Sequence, residues 1–195
     1  MKPAIFLDRD GVINELVLYS DTGEDESPRS PADVRIIPNA ILALGHLQKL
    51  GLPLFVVSNQ PSYAKGKTSL GNLKAVHTYI DRYLRSYGII LTEFYYCFCH
   101  PDGVVPEYTR VCDCRKPKPG LLLAAQAAHH IDLNQSWMIG DSDSDVLCGQ
   151  SVGCQTILID YALSVQKRSG AVQPGWRCTD LLQAARIILE QGNRG

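Results

Sequence analysis

Ala4-Ile-Phe-Leu-Asp8-Arg-Asp10-Gly-Val-Ile-Asn14 joins a short apolar run to two carboxylates and a turn-permitting glycine. An apolar run of this length, ended by acidic and glycine residues, predicts a strand buried on both faces of a parallel sheet. Further runs of the same kind lie at 53–57, 94–98, 136–139 and 155–159. Helical patterns fill the intervals. Ile41, Leu42, Leu44, Leu47 and Leu50 precede Gly51, Leu70, Leu73, Val76, Ile80, Leu84 and Tyr87 precede Gly88, and 121–128, 146–150 and 181–189 supply three more. Strands alternating with helices predict an α/β fold on a doubly wound, Rossmann-like parallel sheet, whose ligands bind beyond the carboxyl ends of the strands.

The 195 residues suffice for one well-packed domain and are too few for two without a clear linker, so a single domain over 1–195 is expected. Nineteen basic against twenty acidic residues leave a net charge of -1, which excludes the basic field that non-specific nucleic-acid binding requires. No apolar run is long enough to span a bilayer, and Asp8 and Arg9 interrupt the N-terminal run before it reaches signal-peptide length. A cytoplasmic monomer without membrane or nucleic-acid partner is the expectation, and any phosphate recognition must be local.

Polar residues gather where the apolar runs end. Asp8 sits where a nucleophile would, because a carboxylate can attack phosphorus and Asp10, two residues on, can protonate the leaving oxygen and then activate water. Ser58-Asn59-Gln60 offers a hydroxyl and amides suited to phosphate oxygens, and Arg115-Lys116 offers positive charge for a phosphoryl group. Asp141 can join Asp8 around a hard cation such as magnesium, with Asp143 or Asp145 orienting the site. Taken singly, these are also what a solvated turn, a helix cap, a basic surface segment and an acidic helix start look like. All four fall at strand ends, in an order that converges them on one edge of the sheet.

With those residues in place the chain resembles the haloacid dehalogenase superfamily of phosphatases. Phe6-Leu-Asp-Arg-Asp-Gly-Val-Ile-Asn14, Val57-Ser-Asn-Gln60 and Val111-Cys-Asp-Cys-Arg-Lys-Pro-Lys-Pro-Gly120 are similar to its small capless branch, which contains heptose-bisphosphate and histidinol-phosphate phosphatases. The resemblance covers most of the chain, from Ala4 to about Ile159. It implies Asp8 as nucleophile and Asp10 as general acid/base, with magnesium held by Asp8, the backbone carbonyl of Asp10, and Asp141. It further implies that Ser58 and Lys116 bind the transferring phosphate, that Asn59 and Arg115 contribute to substrate recognition, and that Asp145 supports the site from behind. The substrate expected is a small phosphorylated sugar, foremost the 7-phosphate of a heptose 1,7-bisphosphate, with histidinol phosphate or another sugar phosphate as runner-up. A zinc-stabilised interaction module without turnover is the reading of a different class.

Cys97-Phe-Cys99-His100 and Cys112-Asp-Cys114 present four thiols and one imidazole within eighteen residues, enough for a closed tetrahedral zinc site. The family often pairs a cysteine with a histidine two residues later, where this chain has Cys99. The resemblance therefore implies Cys97, Cys99, Cys112 and Cys114 as a structural zinc set, with His100 as the alternative to Cys99. Cys148, Cys154 and Cys178 read as buried small hydrophobes. Two departures from the family pattern stand out: Ser142 replaces a lysine after the last motif's first aspartate, and the loop after Asn14 is longer and lacks a tyrosine-histidine pattern. That loop, 15–38, is expected to select substrate, with Asp21, Glu24, Asp25 and Glu26 toward solvent and Arg29 and Arg35 available to a second phosphate.

Overall fold

The computed structural model describes residues 1–192. In chain order the strands are β1 (Ile5–Leu7), β2 (Val17–Tyr19), β3 (Glu24–Glu26), β4 (Leu54–Asn59), β5 (Glu93–Cys97), β6 (Trp137–Gly140), β7 (Gln155–Ile159) and β8 (Trp176–Cys178). The α-helices are α1 (Ala40–Gln48), α2 (Leu70–Ser86), α3 (Gly120–His129), α4 (Asp143–Gln150) and α5 (Leu181–Gly192). Six strands form one sheet in the order β5-β4-β1-β6-β7-β8, and every pairing in it is parallel.

β1 lies in the middle, with Ile5 opposite both Leu54 and Trp137. Because side chains alternate across a strand, Ile5 and Leu7 enter the core beneath α1, α2 and α5, with Leu44, Leu47, Ile80 and Ile188. Ala4 and Phe6 enter the opposite core, with Leu121 and Leu122 of α3 and Cys148 of α4. Phe6 stacks on Phe55 with ring centroids 5.4 Å apart. Burying each such ring contributes on the order of 2–3 kcal/mol, which explains why so short a strand holds the centre of the sheet.

The five strands expected from apolar runs are present. β8 was missed, being a three-residue edge strand with one exposed member. The 15–38 loop is not structureless either: β2 and β3 pair antiparallel as a hairpin above the sheet's carboxyl edge. Cys148, Cys154 and Cys178 are buried. Among the described residues no helix is long and apolar enough to cross a membrane.

Candidate active site

A cleft of roughly 390 Å³ opens where β1, β4 and β6 end, and Asp8, Asp10, Asn59, Arg115, Lys116 and Asp141 all line it. Asp8 follows β1, Asn59 ends β4, and Asp141 follows β6, so the parallel pairing that packs the core also sets these groups side by side. Gly11 makes the approach of the first turn to Asp141 possible. It adopts φ +83°, and a Cβ there would lie 2.7 Å from Asp141 Cγ, so a side chain is excluded by both conformation and space.

The floor is organised around Lys116, whose side chain is 1% exposed. Its Nζ donates to Val57 O at 2.7 Å and lies 3.0 Å from Asp8 Oδ1 and 2.6 Å from Asp145 Oδ1. Burial would lower the lysine, but Asp145 and Asp8 outweigh it and raise it, so the ammonium stays charged. Burial pushes Asp8 up against the pull of Lys116, with Asp145 and Asp10 adding to the rise. Asp145 also accepts from Ser142 N (3.1 Å) and Ser142 Oγ (2.6 Å), starting α4 while pairing the lysine. Asp143, the other candidate on that helix, is turned away to accept from Ser169 N and Oγ at 2.6 Å.

Asp10 is buried in a cage of donors. Arg9 donates through Nε (3.1 Å) and Nη2 (2.9 Å) to Oδ1, and Asn14 Nδ2 reaches the same oxygen at 2.8 Å. Oδ2 accepts from Arg9 Nη2 (3.1 Å), Gln60 Nε2 (2.6 Å) and Ser27 Oγ (2.9 Å). Burial would raise Asp10, but Arg9, Asn14 and Gln60 outweigh it and hold the carboxyl below its ordinary value. Arg9 itself is buried, lies 5.6 Å from the Tyr96 ring centroid and donates to Gln60 Oε1 at 2.7 Å.

Ser58 is brought to the site but lies beneath it, 1% exposed and accepting from Gln60 Nε2 at 3.1 Å. Asn59 exchanges two hydrogen bonds with the backbone of Lys116, both at 3.1 Å, and so fixes the lysine's loop to the end of β4. Arg115 donates to Cys99 O at 3.3 Å. Lys65, Lys67 and Lys167 also line the cleft and were missed from sequence, as were Arg9, Asn14 and Ser27 around Asp10, while Gln60, read as an amide for phosphate oxygens, donates to Asp10 instead. Lys167 Nζ lies 3.8 Å from Asp141 Oδ2, on the side where Ser142 supplies no charge.

The expected orientation of the hairpin is overturned for Glu24, Asp25 and Glu26, while Asp21 is exposed and off the cleft as expected. Glu24, Asp25 and Glu26 line the cleft, and Glu26 is bonded to Lys67 and, at 3.1 Å, to Arg29. Arg29 is spent on Glu26 and on Asp21 at 2.6 Å, while Arg35 donates to Ala32 O and Val34 O. Neither arginine lines the cleft, because Arg29 finds nearer partners in the hairpin's carboxylates and Arg35 in backbone carbonyls.

One oxygen each of Asp8, Asp141 and Asp145 lie within 4.8 Å of one another. Asp141 Oδ2 accepts from Ser164, but its Oδ1 is buried without a hydrogen-bond partner among the described residues. Burial pushes Asp141 up to about 7, with Lys167 pulling the other way. A buried, unpartnered carboxylate oxygen beside a second carboxylate is the donor set a hard cation takes, so the residues fit magnesium. The second cluster is of thiols. Cys97 Sγ is 3.2 Å from Cys112 Sγ and 2.9 Å from Cys114 Sγ, and sulfurs of Cys97, Cys99 and Cys112 lie within 4.8 Å of one another. His100 Nδ1 instead accepts from Asp102 N at 3.1 Å. The sulfurs of Cys97, Cys99 and Cys112, with Cys114 against Cys97 and Cys112, come from two segments and are the donor type that zinc takes.

Comparison with known proteins agrees with this geometry. The HAD-hydrolase-like family model matches residues 113–184. The D-glycero-beta-D-manno-heptose-1,7-bisphosphate 7-phosphatase of Escherichia coli O6:H1 is 38% identical over 158 residues, 80% of this chain and 79% of the relative. The D-glycero-alpha-D-manno-heptose-1,7-bisphosphate 7-phosphatase of Photorhabdus laumondii is 33% identical over 148 residues, 76% of each chain. Among solved structures, D,D-heptose 1,7-bisphosphate phosphatase from B. bronchiseptica, complexed with magnesium and phosphate, superposes with a TM-score of 0.81 at 27% identity, covering 98% of this chain and 99% of that one. With its strand-end carboxylates, its buried lysine and these relatives, the chain belongs to the haloacid dehalogenase-like phosphatases, in the family that includes the heptose-bisphosphate 7-phosphatases.

Proposed function

We propose that this chain is one catalytic domain that hydrolyses a phosphomonoester through a phospho-aspartate on Asp8, and that it removes the 7-phosphate of a D-glycero-D-manno-heptose 1,7-bisphosphate. The observation that carries the reading is the Lys116 ammonium held between Asp8 and Asp145 at the cleft floor, 3.0 and 2.6 Å away. The Asp8 carboxylate attacks phosphorus, and the leaving oxygen takes a proton from the minor, protonated form of Asp10 as its bond to phosphorus breaks. Water then attacks the phospho-aspartate, gives its proton to Asp10 and restores Asp8 as phosphate departs. Lys116 and the Ser58 hydroxyl offset charge on the phosphoryl oxygens, Asn59 holds the lysine's loop, and Arg115 meets the rest of the substrate. Magnesium, held by Asp8, the Asp10 carbonyl and Asp141, supplies further charge neutralisation. Zinc on Cys97, Cys99, Cys112 and Cys114 has a structural role, fixing the loop that leads into Arg115 and Lys116.

One observation favours a second reading. Glu24, Asp25 and Glu26 on the cleft wall suit a substrate whose far end carries an ammonium group or hydroxyls, as histidinol phosphate does, better than one with a second phosphate. Phosphate release from both anomers of the heptose bisphosphate, histidinol phosphate and 4-nitrophenyl phosphate, with and without magnesium, separates the readings. The highest kcat/KM is expected for the heptose bisphosphate. A preference for histidinol phosphate moves the substrate assignment, and no magnesium-dependent release from any of them returns the chain to the class of zinc-stabilised interaction modules.

A further inference from the structure

We propose that Ser27 is a positioning residue for Asp10, through which the β2–β3 hairpin is coupled to proton transfer in the active site. This rests on the reading of Asp10 as the acid/base of a phosphatase. Five of the six hydrogen bonds to Asp10 come from Arg9, Asn14 and Gln60. Arg9 and Asn14 belong to the turn after β1, and Gln60 directly follows β4. These donors are fixed to the sheet and are not among the cleft's lining residues. The sixth comes from Ser27, which follows β3, lines the cleft, and donates to Oδ2 at 2.9 Å. Ser27 is therefore the donor to Asp10 that comes from the cleft lining, and it shares Oδ2 with Arg9 and Gln60.

The hairpin is itself anchored on both sides of this residue. Glu26, just before Ser27, is bonded to Lys67 and Arg29. Arg29, two residues beyond, donates its N–H to Tyr19 Oη at 2.8 Å and has its carbonyl bonded by Thr68 Oγ1 at 2.7 Å. Ser27 is thus the point at which a substrate-facing arm, braced by ion pairs, grips the group that must meet the leaving oxygen. Proton transfer requires an acid oxygen within hydrogen-bond reach, so a carboxyl that loses its donor from the cleft lining, while still held by Arg9, Asn14 and Gln60, loses rate where the leaving group needs protonation.

The test exploits leaving groups of different quality. An alkoxide departs poorly without a proton, whereas 4-nitrophenolate departs without one. In single-turnover experiments Ser27→Ala should slow transfer from a sugar phosphate to Asp8 by about tenfold, while the burst of 4-nitrophenolate from 4-nitrophenyl phosphate stays within about twofold of the parent. Ser27→Thr, which keeps the hydroxyl, should restore the sugar-phosphate rate. Equal slowing of both substrates, or of neither, overturns the inference, and so does a Thr variant no better than Ala. The parent reading fails separately, through an Asp8→Asn or Asp10→Asn enzyme that still turns over sugar phosphate.

Discussion

Lys116 and Asp145 form an ion pair, Nζ to Oδ1 2.6 Å, in which each side chain is 1% exposed. Asp145 stands outside the cleft lining, while the ammonium on the cleft floor also reaches Asp8 at 3.0 Å. Removing one member strands the other in a region of low polarisability, so its structural and catalytic effects should be separable. Lys116→Met should lower kcat/KM by about 10²–10³-fold, the scale of losing one donor from a charge-stabilising site. Denaturant unfolding should show a stability loss of about 3–5 kcal/mol in that variant, part of which the double variant with Asp145→Asn recovers. Losses from Lys116→Met and Asp145→Asn that simply add in the double variant would show the pair to be uncoupled.

Asp8→Asn should leave the fold intact and reduce turnover by at least about 10⁴-fold, since an amide cannot form the acyl phosphate. Burial and the neighbouring Asp145 and Asp10 carboxylates all work against charge at Asp8. A neutral isostere relieves that crowding, and in magnesium-free buffer the variant's Tm should be no lower than the parent's. A contamination-checked variant with appreciable turnover would refute the nucleophile assignment.

Metal analysis of protein purified without chelator should find about one zinc per chain. Cys99→Ser should lose most of it, whereas His100→Ala should keep it, because His100 Nδ1 already accepts from Asp102 N. Stripping zinc should lower phosphatase activity even in excess magnesium, by loosening the segment between Cys114 and Lys116. Zinc loss confined to the histidine variant would exchange the two ligands.

The hairpin gives a pH signature. Burial would raise Glu26, but Lys67, Thr22 and Arg29 outweigh it and hold the carboxyl below its ordinary 4.5. A group held down in the fold contributes stability that is fully present above its unfolded-chain value and is lost as the pH falls through the folded value. Glu26→Gln should therefore be less stable than the parent by a constant margin at pH 6–8, and the margin should close as the pH drops below about 4.5. A margin that stays unchanged down to pH 3 would mean that Glu26 contributes through packing and not through charge.

Rim cations should govern the second phosphate. Lys65 and Lys167 line the cleft, whereas Arg35 is held by carbonyls away from it. Lys65→Ala and Lys167→Ala should each raise KM for the bisphosphate by about 3–10-fold relative to a monophosphate sugar, a loss of about 1 kcal/mol. Arg35→Ala should not. Identical KM ratios in all three variants would place the second phosphate elsewhere.

The central strands were legible because Ala4 to Leu7 and the runs facing it are buried on both faces, and a buried parallel strand leaves no polar residue to blur the pattern. β3 was not, because Glu24-Asp-Glu26 pairs with Val17–Tyr19 while its side chains are satisfied by Lys67, forty-one residues from Glu26. Acidic residues in sequence carry no sign of which lysine they will meet. The same blindness turned Arg29 and Arg35 into candidate phosphate ligands. The cleft's carboxylates were readable because they follow the ends of β1 and β6, whereas Lys116 lies beyond β5, in the loop before α3, and was readable from its Arg-Lys-Pro-Lys-Pro-Gly surroundings. Arg9 could have been found: a cation between two aspartates at the end of a buried strand must be paired. Gln60 and Ser27 reach Asp10 across fifty and seventeen residues, and only the fold brings them there.

The near-contact of Gly11 with Asp141 bears on how this cleft could be remodelled. The two loops on its floor are already at van der Waals distance, so neither can be enlarged or redirected without displacing the other. In a library of all substitutions at position 11, survivors should carry glycine. Room for a bulkier substrate has to come from the hairpin, whose links to the rest of the chain are ion pairs and single hydrogen bonds that a redesign can exchange one at a time.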